Sequence, residues 1–281
     1  MNNPFFSFKT YEQEGHRIEL TAVLTNYLLA EGIGDNPDYA EESAVLKNLA
    51  TKDERVNRAL KVFNKIRSHS AKRIFNRYEA LKKELAGFNP EFVLIGAAGL
   101  SPLGYVYAKQ NPEAIVYDTD LPEVVSHRKN LLAPLQNYHL EELDLLKEGN
   151  IRRFVQEKGI RGRASFVVEG LTFYLDKEQN RFFHRNLQDA VTEKIERAQM
   201  IFEYYTSNIR AKQRDAGFVP KTDDEKDYIT IFGSIGDNQN YMPQTDREVL
   251  EFLKSCKYPA PRLSKHTLNE NPQKIWVCEY K

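Results

Sequence analysis

The chain has 281 residues, enough for one large domain or two small ones, with 40 basic and 40 acidic residues and no net charge. That balance argues against a nucleic-acid binder or a membrane-surface protein acting through overall electrostatics, and no run approaches the roughly 20 apolar residues of a membrane span. The two cysteines, Cys256 and Cys278, offer neither a disulfide framework nor metal-ligand spacing, and MNNPFFSFKTYEQEGHR lacks a basic region followed by an apolar core, so a cytoplasmic protein without a metal is expected.

Up to about Gly87 the chain reads as helical. Ile18, Ala22, Val23, Tyr27 and Leu28 fall at helix spacing, and the turn Gly32-Ile33-Gly34-Asp35-Asn36-Pro37 closes that segment. A second apolar stripe runs through Val56, Leu60, Phe63, Ile66, Ile74, Tyr78, Leu81 and Leu85, with a break near Ser68-His69-Ser70. Its other faces are basic, from Arg55 to Lys83. They read as a solvated surface balanced by the acids of 31–54, the alternative being a surface for an anionic substrate or partner.

From Pro90 the pattern alternates between strand and helix, which predicts an α/β sandwich with a parallel sheet. Phe92-Val93-Leu94-Ile95 is a buried strand, broken by Gly96, Gly99 and Gly104, and a helix follows over roughly Pro102 to Gln110. The next strand, Ala114-Ile115-Val116-Tyr117, ends in Asp118 and Asp120. An acid at that place grips ribose hydroxyls in dinucleotide-binding folds, so the unit reads as built for a nucleoside-containing cofactor.

A helix from Glu123 to Leu135 is predicted next, then a short strand Tyr138–Asp144, a helix over 147–158 and the strand Ala164–Val168, which ends in Glu169-Gly170. Three successive strands thus terminate in acids. Each one singly could cap the following helix, but three together point to a ligand at the carboxyl edge of the sheet. Beyond them come a helix Lys177–Glu196, a fifth strand Met200–Tyr205, and an irregular polar stretch over 206–244 read as a lid on the substrate side. A helix Asp246–Lys254 and two β-like segments, Ala260–Lys265 and Lys274–Tyr280, would finish the sheet as a hairpin.

Three motifs carry a resemblance. Gly96-Ala97-Ala98-Gly99-Leu100, Asp118-Thr119-Asp120-Leu121-Pro122-Glu123-Val124 and Val168-Glu169-Gly170-Leu171-Thr172-Phe173-Tyr174-Leu175, in this order, resemble class I S-adenosylmethionine-dependent methyltransferases. The finer likeness is to the leucine carboxyl methyltransferase group, which includes small-molecule O-methyltransferases of polyketide pathways. It implies a Rossmann-like, seven-stranded, mostly parallel sheet with a C-terminal antiparallel strand, a helical cap over 1–87, and a cofactor-binding core over 88–281 carrying the lid.

The resemblance also implies roles. Gly96, Ala97 and Gly99 would line the methionine half of S-adenosylmethionine, and Asp120, followed by Leu121, would hold the ribose. Asp144 with the backbone at Leu145 would read the adenine, and Glu169 would stand at the methionine end beside the reaction centre. Arg73, or alternatively Arg77, would contact the cofactor carboxylate. Where the group usually has Asp-Thr-Arg after the glycine motif, this chain has Ser101-Pro102-Leu103.

A methyl on a sulfonium is already electrophilic, so the protein has mainly to align an acceptor behind it. A carboxylate acceptor needs no base. None of the six histidines lies in a recognisable catalytic motif, which favours carboxyl over hydroxyl methylation. Tyr174, Glu203 and Tyr204 lie near strand ends, where they could shape an acceptor pocket or simply pack. The acceptor is expected to be a small molecule, with a protein C-terminus as the other candidate. Two rivals stand beside this reading: an NAD-type dehydrogenase, whose G-x-G-x-x-G spacing the turn lacks, and a methyltransferase-like subunit that binds without catalysing.

Overall fold

The described chain opens with an antiparallel hairpin, β1 (Thr10–Gln13) and β2 (His16–Glu19), that runs straight into α1 (Leu20–Ile33). Ile18 therefore lies in a strand and not on the first helix, because an apolar residue one turn before a helix cannot be told by spacing from the last apolar residue of a strand. The computed structural model describes residues 10–13, 16–66, 69–172, 174–205, 222–226, 243, 245–267 and 273–280. All but six residues of the expected lid, 222–226 and 243, fall outside these.

After a short 3-10 turn at Pro37–Tyr39 come α2 (Ala40–Asn48), α3 (Glu54–Ile66) and α4 (Ser70–Phe88). The Asp53 carboxylate starts α3 by accepting the N–H groups of Arg55 and Val56 at 2.8 and 3.2 Å. α4 stops where Asn89 turns left-handed at φ 51° and donates its N–H to the Leu85 carbonyl at 2.9 Å. The stripe from Val56 to Leu85 is thus two helices, parted near residues 68–70 as expected.

The alternating part follows: β3 (Phe92–Gly96), α5 (Leu103–Gln110), β4 (Ile115–Asp120), α6 (Pro122–Lys129), β5 (Tyr138–Glu142), α7 (Asn150–Glu157) and β6 (Gly162–Val168). Then come α8 (Lys177–Asp189), β7 (Ile195–Tyr205), α9 (Asp246–Ser255), β8 (Arg262–Leu263) and β9 (Gln273–Tyr280). α6 ends six residues before the expected Leu135, since Pro134 disfavours a helical Ala133. α8 likewise ends at Asp189, and residues to Glu196 read as helix belong partly to β7. There the register slips by one residue, Gly162 facing Ile195 but Arg163 facing Arg197. This bulge leaves Ile195 and Ala198 buried with Glu196 and Arg197 exposed between them, a spacing of three that imitates a helical turn.

The seven-stranded sheet has the order β5-β4-β3-β6-β7-β9-β8. The pairs from β5 to β7 are parallel, and β9 runs antiparallel to both β7 and β8, forming the expected terminal hairpin. Successive strand residues face opposite sides, so Val93, Ile95, Val116, Val167 and Ile201 share a core with α1–α5. Leu94, Tyr117, Phe166, Phe202 and Trp276 share the other with α7–α9. Helices from before Gly87 therefore complete one layer of the sandwich. The direction of travel reverses between β3 and β6, which places a crevice at the carboxyl ends of these two strands.

Candidate functional site

At the tip of β3 the chain turns through two left-handed residues, Ala97 and Gly99, both at φ 51°. Gly96 is tightly enclosed: a Cβ there would stand 2.7 Å from Leu145 Cδ1, so the stretch after β5 lies directly against the turn. Asp120, at the end of β4, holds the turn from the other side. Its Oδ2 accepts the Gly99 N–H and its Oδ1 accepts the Leu121 N–H, both at 2.7 Å. Burial raises its carboxyl above the usual range, against the pull of these two donors. Leu121, beside it, is 46% exposed, the one large apolar side chain so exposed among the described residues.

Asp144 stands two residues beyond β5, exposed, with its Oδ1 accepting the Leu146 N–H at 2.9 Å. Leu145 is buried. Gly96, Ala97, Gly99, Asp120, Leu121, Asp144 and Leu145 thus line one edge around the crevice.

Glu169 begins where β6 ends and is buried. Val168 lies between Gly96 of β3 and Phe202 of β7 in register, so Glu169 and Glu203 emerge side by side one residue further on. Arg77 of α4 joins them. Its Nε is 3.2 Å from Glu169 Oε2, and its Nη1 donates to the two Glu203 oxygens at 3.3 and 3.2 Å. The Gly170 N–H donates to Glu203 Oε2 at 2.8 Å, and the Thr172 hydroxyl donates to the Glu203 carbonyl. Burial works against the Arg77 charge, but the carboxylates outweigh it and keep the guanidinium ionised. Burial likewise raises Glu203, against the pull of Arg77. Of the two arginines considered, Arg77 is joined to the strand ends, and Arg73 lies one turn earlier on α4, half-buried.

The two tyrosines part company. Tyr174 is buried in the loop before α8. Tyr204, read from sequence as shaping an acceptor pocket or packing, alternates away from Glu203 to the opposite face of the sheet. Its hydroxyl meets His184 Nε2 at 2.6 Å, and His184 Nδ1 meets the Tyr258 hydroxyl at 2.9 Å, all within the core under α8 and α9. Tyr204 is a packing residue there. Burial holds His184 at a pKa of about 3, so this histidine is neutral and enclosed.

One element of the site has no counterpart in the sequence reading. Arg128 of α6, 1% exposed, reaches under the glycine turn to Asp118 Oδ2 at 2.7 Å and to the Tyr138 hydroxyl at 2.9 Å. The signal was present: Val124 and Arg128 are four apart, so the arginine falls on the buried side of the helix with Val124, Val125 and His127.

A glycine turn at the centre of a sheet of this order, acids at the tips of β4 and β6 and after β5, and one antiparallel strand near the far edge define a Rossmann-like fold of the methyltransferase type. Solved structures agree. A candidate methyltransferase from Thermobifida fusca YX is 15% identical with a TM-score of 0.50, over 92% of this chain and 94% of that one. An exported-protein candidate from Bordetella parapertussis is 14% identical with a TM-score of 0.51, over 92% and 94%. PigF with SAH is 13% identical with a TM-score of 0.50, over 90% and 73%. No protein-family model matches the chain, and no curated protein matches it. At these identities the likeness establishes the fold. Among the described residues no helix is long and apolar enough to cross a membrane.

Proposed function

We propose that the chain is an S-adenosylmethionine-dependent O-methyltransferase of the leucine carboxyl methyltransferase kind, acting in the cytoplasm on a carboxylate or hydroxyl of a small molecule. The observation that carries this reading is the chemistry of the crevice between β3 and β6: the Asp120 carboxylate bonded to a left-handed glycine turn, and a buried arginine between two further carboxylates, Glu169 and Glu203. The donor set fits the cofactor group by group. Asp120 is only half-buried and retains acceptor capacity for a diol, exposed Leu121 would give an apolar flank for a base, and exposed Asp144 would accept from an exocyclic amine. Arg77 suits a carboxylate and Glu169 an ammonium.

The bound cofactor supplies a methyl group on a positively charged sulfur. The chain orients the acceptor. Glu169, Glu203 and Arg77 form a preorganised set of charges, each buried and ion-paired before the site fills. Tyr174, buried in the loop before α8, is the residue we assign to the border of the acceptor. His184 is held neutral in the far core and moves no proton at this site.

Transfer of labelled methyl from S-adenosylmethionine to a panel of small carboxylic acids and phenols tests this. A base-labile product is expected, because a methyl ester hydrolyses in alkali and a methyl ether does not. Label confined to base-stable products would move the reading to hydroxyl acceptors, and absence of transfer to either class with cofactor bound would favour a binding subunit.

A further inference from the structure

We infer that Arg128 is a positioning residue that fixes the cofactor turn from beneath, an inference that rests on the reading of that turn as the S-adenosylmethionine site. Three facts carry it. First, Arg128 binds the turn itself: Nη1 donates to the Gly99 carbonyl at 3.1 Å and Nη2 to the Ser101 carbonyl at 3.0 Å. Second, Gly99 is gripped at both polar atoms, its N–H by Asp120 and its carbonyl by Arg128, so the acid assigned to the ribose and the buried guanidinium are coupled through one peptide. Third, the guanidinium is itself held. Asp118 Oδ2 accepts from it and from the Tyr138 hydroxyl at 2.7 and 2.8 Å, and Asp118 is 1% exposed.

Ser101-Pro102-Leu103 has little of its own to hold these carbonyls. The Ser101 hydroxyl accepts the Leu103 N–H at 3.4 Å, Pro102 has no N–H, and Leu103 is apolar. A turn with two left-handed residues needs bracing to keep its N–H groups aimed at a ligand, and the brace is imported from α6. A fork of two N–H groups on two carbonyls is a task for arginine; lysine, a single point donor, cannot span both. The network is also closed to solvent, so its geometry is set by the fold and not by exposed side-chain motion.

The test separates bracing from mere stability. Arg128→Met leaves the Asp118 carboxylate buried and without its cation, so that variant loses stability in any account. Arg128→Met/Asp118→Asn removes both charges and recovers most of the loss. In the full-length double variant, once stability is recovered, amide hydrogen exchange at residues 98–101 is expected to remain faster than in the parent by about tenfold or more. S-adenosylmethionine affinity by calorimetry is expected to remain about tenfold weaker. Parent-like exchange in the turn together with restored stability would overturn the inference. Parent-like exchange with weakened affinity would overturn it too, because the loss would then arise elsewhere. If the parent itself binds no S-adenosylmethionine, the methyltransferase reading falls, and the exchange measurement alone still decides whether Arg128 braces the turn.

Discussion

Gly104 shows how narrowly single residues are constrained around the turn. A Cβ placed on it would lie 1.9 Å from Asp118 Oδ1, and the carboxyl cannot swing aside because its other oxygen is bonded to Arg128 and Tyr138. Gly104→Ala should therefore cost about 1–3 kcal/mol by chemical denaturation, the range for overpacking a fixed core; an unchanged midpoint would mean that the network is loose. His184 makes the second residue-scale case, through pH. Its folded pKa is about 3, below the ordinary value of 6.5, so between those values the unfolded chain binds more protons than the folded one. Its contribution is full above pH 6.5 and falls with acidification at up to about 1.4 kcal/mol per pH unit until the folded value is reached. Subtracting the stability profile of His184→Gln from that of the parent should isolate this slope. A flat difference would show that His184 is protonated in the fold.

At the scale of elements, α4 packs along one face of the sheet and is tied to it by polar contacts at two points. Arg77 ties it to the ends of β6 and β7, and two turns on Glu84 ties it to β8. The Glu84 oxygens accept from Arg262 Nη1 and Nη2 at 3.2 and 2.9 Å and from the Ser264 hydroxyl at 2.6 Å. Burial opposes the Glu84 charge, but the Arg262 and Ser264 donors win and hold its carboxyl below the usual range. Arg262 is partly exposed, which screens the charge, so Glu84→Gln should cost about 1–2 kcal/mol, the worth of a charge-assisted hydrogen bond. A neutral result by thermal melting would show that α4 is held by Arg77 and apolar packing alone. Elements were the least legible level where periods mixed. The β7 bulge turned a spacing of two into three, and an apolar residue in β2 was counted into α1. Element type was plain where one period ran unbroken, as in β3 and α4.

Across the whole molecule, the alternation after Pro90 and the run of acids at strand ends made the parallel sheet and the placement of its crevice readable from residues alone. Local chemistry announced those features: glycines where the backbone turns left-handed, and acids where strands stop. What stayed hidden depends on contacts between residues far apart in sequence. Arg77 and Glu203 are separated by 126 positions, and the brace from Arg128 to Gly99 reverses the chain over 29. No local pattern names the partner in either pair, although helical spacing already set Arg128 facing inward. The choice between pocket and packing stayed open for Tyr204 for a related reason, since a strand end places adjacent residues on opposite faces and spacing alone did not say which face held the crevice.

The central claim is that this crevice binds S-adenosylmethionine through Asp120 and the arginine cluster. Calorimetric titration of the full chain with S-adenosylmethionine and, separately, NAD tests it most directly, with Asp120→Ala as the companion variant. The account predicts saturable binding of S-adenosylmethionine, none of NAD, and an affinity about tenfold or more weaker in the variant, equivalent to about 1.4 kcal/mol. Binding of NAD alone, or an unchanged affinity in Asp120→Ala, would contradict it.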